Sequence, residues 1–245
     1  MAGHSKWNNI KRKKEASDAK KAQIFTKIGR KIAIALRDGS PDPAINSALR
    51  DVIATAKSLN VPNDNIQRMI AKYSGANADS AAYESITYEG YGPGGVAVIV
   101  ETLTDNRNRT AGEMRHYFDK CGGNLGATNC VSWQFSKRGI IVIENEGQDE
   151  DEIMMQALEA GADDVIVEEE MFEIVTSPES FSSVRDALEQ AGYAFAQAEV
   201  SLVTDNMTTL TNEDDIKNMQ KLLSLLDDND DVQNVYHNWE NETDE

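Results

Sequence analysis

The sequence predicts a multidomain protein that joins an α-helical part to two α+β parts, and three observations carry that expectation. Apolar residues recur at helical spacing up to about residue 74 and at a spacing of two after Tyr83. From Ile140 onward strands and helices alternate in the order βαββαβ, that of a ferredoxin-like sandwich. The elements on either side of that unit complete a separate ββα…αβ set, and 245 residues suit two or three domains better than one. The expected division is a basic arm and three-helix domain over 1–78, a discontinuous α+β domain over 79–134 plus 205–245, and an inserted ferredoxin-like α+β domain over 135–204.

The first helix is expected from about Ala16 to Arg37, with Phe25, Ile28, Ile32 and Leu36 on one side. A second runs within SPDPAINSALRDVIATAKSLN, capped by Asp42 with Pro43 in its first turn, burying Ile45, Leu49, Val52 and Ala56. A third starts near Pro62, turns Ile66, Met69, Ile70 and Tyr73 inward and stops at Gly75. The small-residue stretch Gly75 to Ala82 reads as a linker. SITYEGY and VAVIVETLTD then form a hairpin about Gly92-Pro93-Gly94-Gly95. The following helix, NRNRTAGEMRHYFDKCGG, is capped by Asn108 or Thr110 and ends at Gly122-Gly123. NLGATNCVSWQFSKR has no period and is read as a bridge between domains.

In the inserted unit, strands fall at Ile140–Glu144, Val165–Glu168, Phe172–Val175 and Ala194–Val203, with helices at Glu150–Ala160 and Pro178–Ala191. A last helix over Asn212–Leu226 and a strand in DVQNVYHN close the chain, followed by an acidic tail, WENETDE, expected to fray.

Charge is strongly segregated. Residues 1–40 hold eleven Lys and Arg (Lys6, Lys11, Arg12, Lys13, Lys14, Lys20, Lys21, Lys27, Arg30, Lys31, Arg37) against Glu15, Asp18 and Asp38, which is +8. The whole chain is −18, so the remainder carries −26. A basic block on an acidic body points to a polyanion met at one end. Met1 to Glu15 has only Met1, Trp7 and Ile10 as large apolar residues, so it reads as an arm that orders on a partner. On the first helix Lys20, Lys27, Arg30 and Lys31 lie opposite the apolar stripe. Such a face can simply be solvated, but an adjoining arm that mixes His4, Ser5 and Trp7 with lysines favours nucleic acid, where an aromatic ring stacks on an unpaired base.

Other chemistry finds little support. Gly92-Pro93-Gly94-Gly95, with Tyr91 before it, lacks the lysine and helix start of a phosphate loop and reads as a tight turn. Asn106-Arg107-Asn108-Arg109-Thr110 opens a helix and forms a possible second anion site, unless its groups serve as caps and ion pairs. His4, His116 and His237 have no ligand spacing, so no metal is expected, and no cofactor. No nucleophile, base and orienting group converge, so a non-enzyme is expected over the alternative, a phosphoester hydrolase using the acidic body. There is no membrane-length apolar run and no secretory leader, and two cysteines without metal spacing fit a reducing cytoplasm. No small-molecule substrate is implied.

MAGHSKW, FTKIGRKI, YEGYGPGG at 88–95, TDNRNRT at 104–110 and KCGGNLG at 120–126 resemble the YebC/PmpR family along the whole chain. The resemblance implies a helical domain followed by two α+β domains, the third inserted in the second. It also implies a regulator of gene expression. Members carry the description of probable DNA-binding transcriptional regulators, a mitochondrial relative activates translation of cytochrome oxidase subunit I, and bacterial members are linked to ribosomes stalled at proline-rich stretches. Relatives often place a histidine in the basic run, where Lys11–Lys14 here are all Lys or Arg. The expected partner is therefore DNA or ribosomal RNA, with the ribosome itself a candidate.

Overall fold

A computed structural model describes residues 18–37, 39–74 and 83–241. The expected arm and residues 16–17, residue 38, the stretch 75–82 read as a linker, and the last four residues lie outside the described residues. The elements are α1 (Asp18–Arg37), α2 (Ser47–Ser58), α3 (Asn63–Ser74), β1 (Glu84–Tyr91), β2 (Ala97–Thr104), α4 (Arg107–Lys120) and β3 (Asn124–Leu125). They continue with β4 (Ser136–Glu144), α5 (Glu150–Glu159), β5 (Asp164–Val167), β6 (Met171–Thr176), α6 (Phe181–Gln190), β7 (Gln197–Val203), α7 (Glu213–Asp227) and β8 (Val232–His237). Helices and two antiparallel four-stranded sheets give the expected mixed α and α+β class.

Among the described residues, one compact unit takes in 18–37, 39–52, 62–74, 83–135 and 204–241. Its sheet has the order β3-β1-β2-β8. β2 is its centre: AVIVETLT is apolar on both faces, as a central strand must be, and all but Glu101 are buried. Val96, Val98 and Val100 pack with Met114 and Phe118 of α4 and with Met219, Leu222 and Leu226 of α7. Within this unit α1 buries Ile28, Ile32, Ala33 and Ala35 and packs against α3.

The other unit comprises residues 136–203 with 53–61. Its sheet order β5-β6-β4-β7, with every neighbouring pair antiparallel, is the ferredoxin-like βαββαβ arrangement. Ile141, Ile143, Phe172 and Ile174 form one face with Ile153 and Ala157 of α5 and with Val184 and Leu188 of α6. Ile140, Val142 and Met171, one residue out of phase, are buried on the opposite face.

Several local expectations are corrected. The second helix begins at Ser47, not after Pro43, because Asp42 caps only a turn, accepting from the Ala44 amide, while Asn46 Oδ1 accepts from the Leu49 amide. Ile45 consequently sits before the helix and is exposed rather than buried. The cap of α4 is Asn106, whose side chain accepts from the Arg109 amide, instead of Asn108 or Thr110. NLGATNCVSWQFSKR is more than a bridge: Asn124–Leu125 adds a strand to β1, and β4 begins as early as Ser136. The tail does not fray at Trp239, which is buried with its indole N–H donating to Asn241.

Candidate nucleic-acid interface

Of the expected contact residues, His4, Ser5, Lys6, Trp7, Lys11, Arg12, Lys13 and Lys14 lie outside the described residues, as does the side chain of Lys20. Lys21 is exposed near the start of α1, whereas Lys27, Arg30 and Lys31 are half-buried. The helical period that turns Ile28 and Ile32 inward also sets Gln23, Lys27 and Arg30 at successive turns, and these three meet the end of α7 and the turn after it. Gln23 Nε2 and Lys27 Nζ donate to the Asp227 carbonyl at 2.7 and 2.9 Å. That carbonyl closes α7, where the helix dipole is negative and a cation is favoured.

Arg30 goes deeper. Its guanidinium donates to the carbonyls of Leu103 and Asp230 and to Asp231 Oδ1, at 3.0, 2.6 and 2.6 Å, and lies over the Tyr83 ring. Lys27 and Arg30 were expected on a phosphate-facing surface. The correction is that both are held by the fold, since the acidic turn after α7 neutralises them locally.

The opposite side of Asp231 is filled from the end of β2 and the start of α4. Oδ2 accepts from Arg109 Nη2 at 2.8 Å and from the hydroxyls of Thr110 and Thr104 at 2.7 and 3.0 Å. Burial alone would push this carboxyl up, but the hydrogen bonds from Arg109, Thr110, Arg30 and Thr104 prevail and hold it below its ordinary value. Arg109 also donates to Asp105 at 2.9 Å, and the Asp231 bond raises its pKa further, so it stays charged. Of the residues read as a second anion site, Arg109 and Thr110 converge on the chain's own Asp231, while Asn106 caps the helix they belong to. Arg107 and Asn108 remain on the exposed side, Arg107 reaching Glu84 at 3.4 Å.

The Gly92–Gly95 stretch is a turn packed on the core rather than an open cradle. Gly92 donates to the Val96 carbonyl, and Gly94 takes φ of 64° where a side chain would collide with Leu210. Just before it, Glu89 is buried, and its carboxylate accepts from the amides of Asn129, Val131 and Ser132 at 2.9, 3.0 and 2.9 Å. Burial acts to raise its pKa, but the three amides outweigh it and the net shift is downward. The loop so held brings the polar atoms of two aromatic side chains to one acceptor: Tyr91 Oη and Trp133 Nε1 both donate to the Cys130 carbonyl, at 3.3 and 3.2 Å. Trp133 is 70% exposed.

Sequence reasoning missed Asp231, Glu89 and Trp133. Asp231 ends the run Asp227-Asp228-Asn229-Asp230-Asp231, in which nothing distinguishes the one buried acid from its solvated neighbours. Glu89 had a faint signal, an acid in the middle of an aromatic strand followed at once by glycine. The two cysteines are free, and burial pushes both thiols up. Among the described residues no group of three or more His, Cys, Asp or Glu is placed to hold a metal, and no helix is long and apolar enough to cross a membrane.

Comparison with known proteins gives consistent matches. Residues 5–76 match the family model described as the TACO1/YebC protein N-terminal domain, and residues 83–239 the model of the TACO1/YebC second and third domain. A protein of Acetivibrio thermocellus named "Probable transcriptional regulatory protein" is 60% identical over 240 residues, covering 98% of this chain and 99% of its own. One from Caldicellulosiruptor bescii with the same name is 56% identical over 241 residues, covering 98% of each chain. The crystal structure of a conserved hypothetical protein from Aquifex aeolicus is similar at a TM-score of 0.81 and 40% identity, covering 92% of this chain and 93% of that one.

Proposed function

This chain belongs to the TACO1/YebC family, and on that premise we propose that it is a non-enzymatic regulator of gene expression that binds nucleic acid through its basic N-terminal region. The observation that carries the reading is the charge division, +8 in the first 40 residues and −26 in the rest. Phosphates are met by Lys6, Lys11, Arg12, Lys13, Lys14, Lys20 and Lys21, with Lys31 at the margin. His4 and Trp7 add stacking. Arg107, with a side chain 69% exposed, is the accessible cation of the second cluster, because Arg109 is bonded to Asp231.

Between the two polyanions, ribosomal RNA fits the charge distribution better. A duplex presents phosphates along its whole length and repels an acidic body of this size, whereas a ribosomal cleft offers RNA on one side, protein on others, and unpaired bases. The names of the relatives favour the second reading, a DNA-binding transcriptional regulator. Sedimentation with ribosomes in a sucrose gradient, beside titration of promoter and random duplexes at matched salt, separates the two. Co-sedimentation with only micromolar or weaker duplex binding is expected. Nanomolar binding to one duplex without ribosome association would establish transcription instead.

A further inference from the structure

We propose that Tyr91 and Trp133 form a stacking platform for an unpaired base of single-stranded nucleic acid, apart from the basic arm. The inference rests on the nucleic-acid reading above and assigns it a second point of contact.

Two exposed aromatics in a protein of this charge need an explanation. Trp133 is 70% exposed and Tyr91 37%, although an indole ring is among the costliest groups to leave in water. Both rings donate their one polar hydrogen to the same acceptor, the Cys130 carbonyl. With those edges satisfied, what the pair offers a ligand is its π-faces, which suits a planar, stacking group more than a hydrogen-bonding one.

The pair is also held in advance. The Glu89 carboxylate, 4% exposed, fixes the amides of Asn129, Val131 and Ser132, the last of which precedes Trp133. Ser132–Gln134 closes as a single 3₁₀ turn, with the Phe135 amide donating to the Ser132 carbonyl. Tyr91 ends β1, paired with Asn124. A platform ordered before binding loses little conformational entropy when a ligand arrives.

The surroundings favour a nucleotide over an apolar peptide. A peptide-binding hot spot sits among apolar neighbours that exclude water. Here the exposed residues of the adjoining loop are Asn124, Gly126, Ala127, Thr128 and Asn129, none of them a large apolar side chain. Lys120, which ends α4 four residues before the partner of Tyr91, is exposed and is the nearest cation along the chain to offer a phosphate contact.

The test uses the full chain, with binding read from the strand so that Trp133 can be replaced without loss of signal. Fluorescein-labelled oligouridylate and oligodeoxythymidylate of about ten nucleotides, a usual single-strand site size, are titrated with the protein over a range of salt and followed by fluorescence anisotropy. Saturable binding is expected with at least one strand, and the tighter one identifies the sugar recognised. Trp133→Ala should weaken binding on the order of tenfold with an unchanged salt slope, since stacking neutralises no phosphate. Trp133→Phe, which keeps a ring, should recover most of that loss, and Glu89→Gln should weaken binding in the same direction. Binding with undiminished affinity in Trp133→Ala would overturn the platform and leave the nucleic-acid reading standing. Binding of a labelled short leucine-rich peptide that is lost in Trp133→Ala, with binding of neither oligonucleotide, would assign the rings to a protein partner. No binding of any nucleic acid by the parent chain would overturn both readings.

Discussion

Arg30 of α1 and Asp231, 201 residues later, are joined by a 2.6 Å charge-assisted hydrogen bond in which both side chains are largely withdrawn from water. The same carboxylate takes Arg109 on its other oxygen, so one buried acid ties together α1, the start of α4 and the turn before β8. Removing one member of such a set leaves charges without a counterpart inside the protein. Asp231→Ala should therefore cost about 3–5 kcal/mol of stability, measured by urea unfolding. Arg109→Ala, at a side chain 43% exposed, should cost about 1 kcal/mol or less. A loss below 1 kcal/mol for Asp231→Ala would refute the hub.

Acid should find the same groups. Asp231 and Glu89 are both held below their ordinary values of 3.8 and 4.5. A depressed carboxylate contributes stability that is complete above its unfolded pKa and is lost as pH falls through its folded one. Stability should thus be flat from neutral pH to about 5 and then fall steeply toward pH 2. In a Glu89→Gln, Asp231→Asn double variant the acid slope should be shallower than in the parent, as read from unfolding free energies at matched pH values.

Glu89→Gln alone tests the loop anchor. The amide's NH2 group would face backbone N–H donors, leaving at least one of the Asn129, Val131 and Ser132 amides unsatisfied, at about 1–3 kcal/mol. Hydrogen exchange of those three amides should quicken by more than that of the β1–β2 ladder. Uniform acceleration across the unit would point to global destabilisation rather than a local anchor.

The basic arm is expected to act in binding and not in folding. Reversing Lys11, Arg12, Lys13 and Lys14 to Glu should abolish nucleic-acid binding and leave the thermal midpoint nearly unchanged, because Met1 to Glu15 contains few apolar residues to bury. Each lost phosphate contact lowers the salt slope by about one. A quadruple variant that binds like the parent would remove the arm from the interface.

We further propose the division 1–78, 79–134 plus 205–245, and 135–204. The third piece closes its own antiparallel sheet under two helices. Expressed alone, residues 135–204 should unfold in one cooperative transition with dispersed amide signals. A fragment without a melting transition would count against an independent insert.

Much of this protein was written in its local pattern. Spacing alone determined the kinds of elements, because Ile28 and Ile32 or Val98 and Val100 fall on one side only at a single backbone period. The βαββαβ order determined a sheet that closes as β5-β6-β4-β7, since short connections and right-handed crossovers leave few alternatives. Composition determined the +8 and −26 division, which needs no coordinates. The fate of individual polar groups did not follow from any of this. Asp231 at the end of four acidic or amide neighbours, Glu89 in an aromatic strand, and Arg30 on a lysine-rich helix face look in the sequence like solvated charges. Whether a charge is solvated, paired or buried depends on which groups arrive from elsewhere in the chain, here Thr104, Thr110 and Arg109 on one acid and three loop amides on the other. Electrostatic energy falls off with distance in space and takes no account of distance along the chain, so only the tertiary structure decided those partners.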